Sequence, residues 1–364
     1  EELMTSIINT IDWSIEDREV FSIEPVKNKL IWRDVTDYSV RKDYGYYLDN
    51  KLWMLDHPGE WYFNKDNKKL YVWLLNNADP NESAITIETA YHDYAIKITS
   101  KEHIIIEDID FRNAVLDGIY VNTSKGILVS NCTVSNSGRD GIHIEASPDS
   151  TVKNSEVKQS IHDGITVTWS DGTVITGNNI ENTSTGGSPR RSNGAIDMRY
   201  SRDALIQNNT IVNSGFRGIN FMKGVSVVNN IIENSCLVLD DCGAVYTWND
   251  YESRTSYNSQ IMGNIIINVV GNTEGTPRLT SLARGIYLDE FSNGIQVLNN
   301  TIVNASQYGV MLHNAFNNTL TYNTLYGNGD FQLSIFDSKI NGTVKGNTIT
   351  NNIMFPLNAN APIL

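Results

Sequence analysis

Two residue markers recur in constant phase along most of this chain, and that double recurrence leaves few folds open. A glycine followed by an apolar residue returns at Gly118, Gly141, Gly164, Gly194, Gly218, Gly243, Gly285 and Gly309, and the first two spacings are both 23 residues. An asparagine ahead of an apolar pair follows at Asn178, Asn209, Asn230, Asn264, Asn300, Asn323 and Asn347, with Cys132 and Ser155 in the same place earlier. Between them run short alternations such as Gly141-Ile142-His143-Ile144-Glu145, whose period of two sends Ile inward and the polar residues outward. Strands this short bury nothing alone, so each unit must stack on its neighbours. The pattern predicts an all-β fold: a right-handed parallel β-helix of about ten coils over residues 91–364. A leucine-rich solenoid is excluded, because the recurring residues are Ile, Val and Asn. An asparagine at one turn of every coil can satisfy the backbone groups of the next.

Residues 1–90 are of another character. They hold five of the seven tryptophans (Trp13, Trp32, Trp53, Trp61 and Trp73), and the stretch from Trp61 to Trp73 places bulky residues on both sides of a polar turn. This reads as an antiparallel hairpin within an aromatic-rich N-terminal β cap over the first open coil.

With 42 acidic against 28 basic residues, the net charge of -14 repels polyanions, which excludes nucleic acid and anionic lipid as partners. No apolar run reaches the roughly 18 residues of a membrane helix. Together with the absence of a basic and apolar leader at Glu1, this gives the expectation of a secreted or periplasmic protein whose signal segment has been removed. Cys132 falls inside the repeat and is expected to be buried. Cys236 and Cys242 could bridge a local loop, but the spacing is read here as unpaired.

Departures from the repeat carry the functional signal. The glycine spacing rises to 30 before Gly194 and to 42 before Gly285. Inserted loops are therefore expected at 183–192, 246–259 and 271–283, and insertions in a solenoid gather on its binding face. Aligned by glycine, the outward residues form a column His143, Thr166, Asp197, Asn220, Tyr246, Tyr287 and Met311. Two positions further on stand Glu145, Thr168, Arg199, Met222, Trp248, Asp289 and His313.

Asp241 and Asp289 fall on consecutive coils beside the loops and are the candidate catalytic pair. Carboxyls 5 to 10 Å apart, roughly the range glycosidases use, can divide proton donation and attack between them. Asp240 and Glu290 are spare acids beside them, and Asp197 and His143, with His162, are further alternatives. Tyr246, Trp248 and Tyr287 offer flat faces for sugars, and His313, Arg199 and Arg217 are substrate-binding candidates; the two arginines could equally neutralise Asp197. Asp117, Asp140 and Asp163 read as turn residues before glycine. No metal or other cofactor is expected, although Asp140 with Asp163 could hold a structural calcium.

Having Pro58-Gly59-Glu60-Trp61-Tyr62, Leu70-Tyr71-Val72-Trp73, Asp241-Cys242-Gly243-Ala244-Val245-Tyr246 and Gly285-Ile286-Tyr287-Leu288-Asp289-Glu290, the chain resembles carbohydrate-active β-helix proteins around glycoside hydrolase family 141 over nearly its whole length. The resemblance implies a secreted glycan-degrading enzyme with fucosidase or xylanase activity, an oligo- or polysaccharide substrate, and catalytic acids at Asp241 and Asp289. Two other functions stay open. A lyase or epimerase of a uronic polymer would use the basic residues Arg190, Arg191, Arg199, Arg202 and Arg217 with His143 or Tyr246 as base. A non-catalytic glycan-binding solenoid would hold Asp241 and Asp289 apart, each with its own basic partner.

Overall fold

The computed structural model describes residues 5–82, 85–186, 194–249, 258–338 and 344–357. It divides into two compact units, one of residues 1–89 with 273–278 and one of residues 90–272 with 279–364. In the first unit, four antiparallel strands lie in the order Lys29–Trp32, Ser14–Glu24, Thr5–Ile11, Tyr46–Asp49. The expected hairpin is present as Trp61–Asn64 against Lys69–Val72. Asn64 closes its turn by accepting the backbone N–H groups of Asp66 and Asn67. The segment 273–278 is held within this unit. Gly45 N–H donates to the Gly275 carbonyl, and Arg278 pairs at 2.6 Å with the buried Asp12, which also accepts the Tyr44 hydroxyl.

The second unit is the expected solenoid. Its described residues form three parallel sheets of ten strands each. The first sheet runs from Ile96–Thr99 to Phe331–Phe336, the second from Ile105–Glu107 to Thr348–Thr350, and the third from Asp110–Arg112 to Ile353–Phe355. Ile142, Ile144, Val152 and Val157 from one coil are wholly buried, while His143 and Glu145 between them reach the surface. Each such aliphatic side chain stabilises the stack by about 1.5–3 kcal/mol. Parallel pairing in register is what turns the repeat into columns of like residues.

Packing, not backbone conformation, explains the glycine marker. A Cβ on Gly141 would overlap the Val157 side chain and the Gly164 carbonyl, and one on Gly218 would meet Ile232 and the Ala244 carbonyl. The asparagine marker works through hydrogen bonds. Asn209 Oδ1 accepts both the backbone N–H and the side-chain amide of Asn178, and its own amide donates to Ile175 O at 3.1 Å and Asn230 Oδ1 at 2.9 Å. The same contacts continue through Asn264, Asn300 and Asn323.

Two expectations need correction. The rung after Asn323 is Asn352, whereas Asn347 belongs to a separate column with Asn318. The coil from Asn323 to Asn352 spans 29 residues against 23 in the one before it, so the asparagine met at ordinary spacing comes from a different turn. Cys236 and Cys242, read as unpaired, form a disulfide with their Cα atoms 6.3 Å apart, because the turn at Cys236 and Asp241, both at positive φ, folds the chain back. Cys132 is buried and unpaired, as expected.

Of the three expected loops, the second starts later than the spacing suggested, since Tyr246 and Thr247 still belong to the strand Cys242–Thr247. Residues 187–193 and 250–257 of the first two loops lie outside the described residues, and Arg190 and Arg191 with them.

Candidate active site

The outward column of the first sheet is in the register read from the glycines. His143 pairs with Thr166, Thr166 with Asp197, Asp197 with Asn220, Asn220 with Tyr246, Tyr246 with Tyr287 and Tyr287 with Met311. Tyr246, Tyr287 and Met311 pack as a buried cluster, with the two phenol rings edge to face at 5.2 Å.

Asp241 and Asp289 flank this cluster from neighbouring strands. Asp241 stands immediately before Cys242–Thr247, and Asp289 immediately after Ala283–Leu288, so their backbones lie at opposite ends of adjacent levels. The Asp241 carboxylate bonds to Arg284 Nη1 at 2.5 Å. The Arg284 guanidinium in turn lies 4.6 Å from the centre of the Tyr287 ring. Asp289 Oδ2 accepts the Tyr246 hydroxyl at 2.8 Å, and Oδ1 lies 2.6 Å from His313 Nδ1. Tyr287 reaches the same imidazole nitrogen at 3.3 Å. Arg217 covers the Tyr246 ring at 3.8 Å.

The electrostatics follow from these contacts. Burial alone would raise the Asp289 pKa, but the hydrogen bond and charge of His313, with the Tyr246 hydroxyl, hold it below the ordinary carboxylate value. Burial would lower the His313 pKa, and the Asp289 hydrogen bond and charge outweigh that and raise it. The phenols of Tyr246 and Tyr287 are pushed well up, first by burial and then by the charge of Asp289, with Asp241 adding to both. Both carboxylates therefore act on the same two phenols, although they enter from opposite ends.

The other predicted residues divide clearly. Asp240 is fully buried, accepts Leu282 N–H at 2.7 Å, and is raised to about 6 by burial. Asp197 is also fully buried, bound by Arg199 at 2.7 Å and by the Asn220 amide. Both acids are sealed from the surface, unlike Asp241 and Asp289. Arg199 pairs with Asp197, and Arg217, stacked on Phe216 and Tyr246, also acts on Asp197 through its charge. Glu290 follows Asp289, with its carbonyl accepting Asn249 N–H, and Trp248 stands exposed beyond its strand.

His143 is not in this cluster. Its Nδ1 lies 3.0 Å from Asp140, several coils away, in a cavity of about 450 Å³ lined by Arg139, Asp140, His143, His162, Asp163, Thr166 and Arg199, among others. Asp117, Asp140 and Asp163 are turn residues as expected, since their carboxylates accept the backbone N–H of Asp140, Asp163 and Gly194 on the following coils. Ligand atoms of Asp117, Asp140 and His143 lie within 4.8 Å of one another. However, Arg139 is bound to both oxygens of Asp117, and a guanidinium there repels a divalent cation.

Sequence reasoning gave no role to Arg284, although its place before Gly285 matches that of Arg217 before Gly218. It also missed the cavity, whose only signal was three successive aspartates before glycine.

Comparison with known proteins agrees with this architecture. The family model described as right handed beta helix region matches residues 94–261 and 249–360. No curated protein matches the chain. A solved structure described as a glycoside hydrolase is similar at 14% identity and a TM-score of 0.71, covering 100% of this chain and 70% of that one. The catalytic unit of a thermostable GH87 alpha-1,3-glucanase from Streptomyces thermodiastaticus is similar at 15% identity and a TM-score of 0.53, covering 73% of this chain and 53% of that one. A mutant of the periplasmic alginate epimerase AlgG is similar at 14% identity and a TM-score of 0.51, covering 71% of each chain. At such identities the likeness is one of fold. The match to the family model covers most of the chain, and the chain belongs to the right-handed β-helix family.

Proposed function

We propose that this protein is a secreted glycoside hydrolase that cleaves a plant, algal or host glycan with Asp241 and Asp289, as the resemblance to glycoside hydrolase family 141 implies. The observation that carries the reading is the Asp289 carboxylate, held ionised by His313 and Tyr246 at the edge of a phenol floor that Asp241 shares. An ionised carboxylate in a mostly buried place suits the base or nucleophile of glycoside hydrolysis. Asp241, with its side chain 23% exposed, is the proton donor in this scheme. Tyr246 and Tyr287, expected to offer flat faces, are instead buried beneath Arg217 and Arg284, and the exposed Trp248 at the end of the Tyr246 strand is the ring that meets the sugar. The kinship of fold with glycoside hydrolases and an alginate epimerase supports a carbohydrate substrate.

The lyase or epimerase reading is weaker because two of its cations are already engaged, Arg199 with Asp197 and Arg202 with Asp171. The His143–Asp140 pair in the cavity is the observation that favours it, and an unsaturated product absorbing at the short-wavelength edge of the ultraviolet would establish the lyase. A non-catalytic solenoid accounts for the separate basic partners of Asp241 and Asp289, but not for a buried phenol floor between them.

The test is sugar release from fucosylated and xylan-type glycans. Asp289→Asn, folded as judged by circular dichroism, is expected to lose activity by roughly 10²–10⁴-fold. A variant as fast as the wild type ends the assignment.

A further inference from the structure

A second set of side chains on the first sheet has no part in the chemistry above. The cavity of about 450 Å³ spans the strands Ile142–Glu145, Ile165–Thr168 and Gly194–Arg199, and the strand Arg217–Phe221 separates these from the strands of Asp241 and Asp289. Its wall is polar but not cationic. Arg139 is matched by Asp117 and Arg199 by Asp197, while Asp140 and Asp163 add two further acids. Thr166 donates to Asp163, and His143 is oriented by Asp140. Carboxylates, guanidiniums and imidazoles together give donors and acceptors for vicinal hydroxyls, and the balance of charge disfavours a carboxylated sugar.

At the ends of two of these strands stands an aromatic platform. Trp169 and Tyr200 stack with ring centroids 5.5 Å apart and planes 9° from parallel, yet are 58% and 50% exposed. They occupy a left-handed turn, at φ 50° and 53°, at the end of first-sheet strands. Earlier coils fill the same turn with Ser100, Thr123 and Ala146. Large aromatic side chains are disfavoured in that backbone region and here gain little burial in return, a combination that points to function rather than packing. Tyr326 and Phe355 also stack, but on the third sheet, away from the cavity. Arg199, which lines the cavity, directly precedes Tyr200 in the chain, and Trp169 directly follows the strand that carries Thr166.

We propose that Trp169 and Tyr200, with the cavity of Arg139, His143, Thr166 and Arg199, form a second glycan-binding site that takes a neutral, hydroxyl-rich sugar segment. One pyranose ring lies against the aromatic pair, and the hydroxyls of its neighbour enter the cavity. The proposal rests on the reading of the protein as carbohydrate-active, but not on Asp241 or Asp289 being catalytic.

The experiment therefore measures binding alone, by titration calorimetry of the full chain with neutral and uronic oligosaccharides, in wild type and in Asp289→Asn. Expected with neutral oligosaccharides are two binding events, of which one weakens at least tenfold in Trp169→Ala and persists in Trp169→Phe, which keeps an aromatic face. No event weakened in Trp169→Ala, preference of the weakened event for uronic oligosaccharides, or no neutral ligand at all would each overturn the proposal. Loss of cleavage with retained binding in Asp289→Asn bears only on the catalytic assignment, so the two readings fail separately.

Discussion

Asp289 and His313 form the pair on which the chemistry turns, and its dependence on pH can be derived. The Asp289 pKa is lowered by folding, so its contribution to stability is full above the ordinary carboxylate value near 3.8 and is lost as the pH falls through the lower folded value. The His313 pKa is raised, so its contribution is full below the ordinary imidazole value near 6.5 and is lost as the pH rises through the higher folded value. The pair therefore stabilises most between about pH 4 and 6.5. In His313→Gln, the melting temperature should fall relative to wild type most within this window, and the difference should shrink at higher pH. A difference that grows above pH 8 would contradict the ion pair. His313 was legible in the sequence as an outward residue beside Asp289, but the pairing depends on rotamers that a repeat pattern does not encode. The Asp241–Arg284 bond was hidden for the same reason, since a left-handed turn at Asp241 aims its carboxylate.

At the scale of strands and turns, most of the architecture was readable because parallel stacking makes the fold itself periodic. A glycine spacing of 23 residues fixes the register, and the register fixes which side chains share a column. Where a coil departs from that length the method fails, and Asn352 bonds to Asn323 across 29 residues while Asn347 sits at the more familiar spacing. A second asparagine column, Asn182, Asn213, Asn234, Asn268 and Asn304, also went unread, because only Asn268 in it precedes an apolar pair. The buried column makes a quantitative claim. Asn264→Ala removes an amide that links three coils and leaves buried backbone and side-chain groups unpaired. A loss of about 1–3 kcal/mol in denaturant unfolding is expected, whereas the same change at the half-exposed Asn268 should cost less. Equal losses at the two positions would contradict the ladder's buried role.

For the molecule as a whole, the solenoid brings together groups that lie far apart in sequence: Asp241, Asp289 and His313 converge because three successive coils bring each round to the same face. The acidic sequence and the pairing of Arg139, Arg199 and Arg202 with carboxylates agree with a neutral rather than a polyanionic substrate.

Glycan hydrolysis by Asp241→Asn, Asp289→Asn and the double variant tests the joint action of the two carboxylates most directly. Acting as one unit, they predict that each single variant is severely impaired and that the double variant is scarcely slower than the worse of the two. Full activity in either single variant, or losses that simply multiply in the double, would show that Asp241 and Asp289 do not serve the same bond.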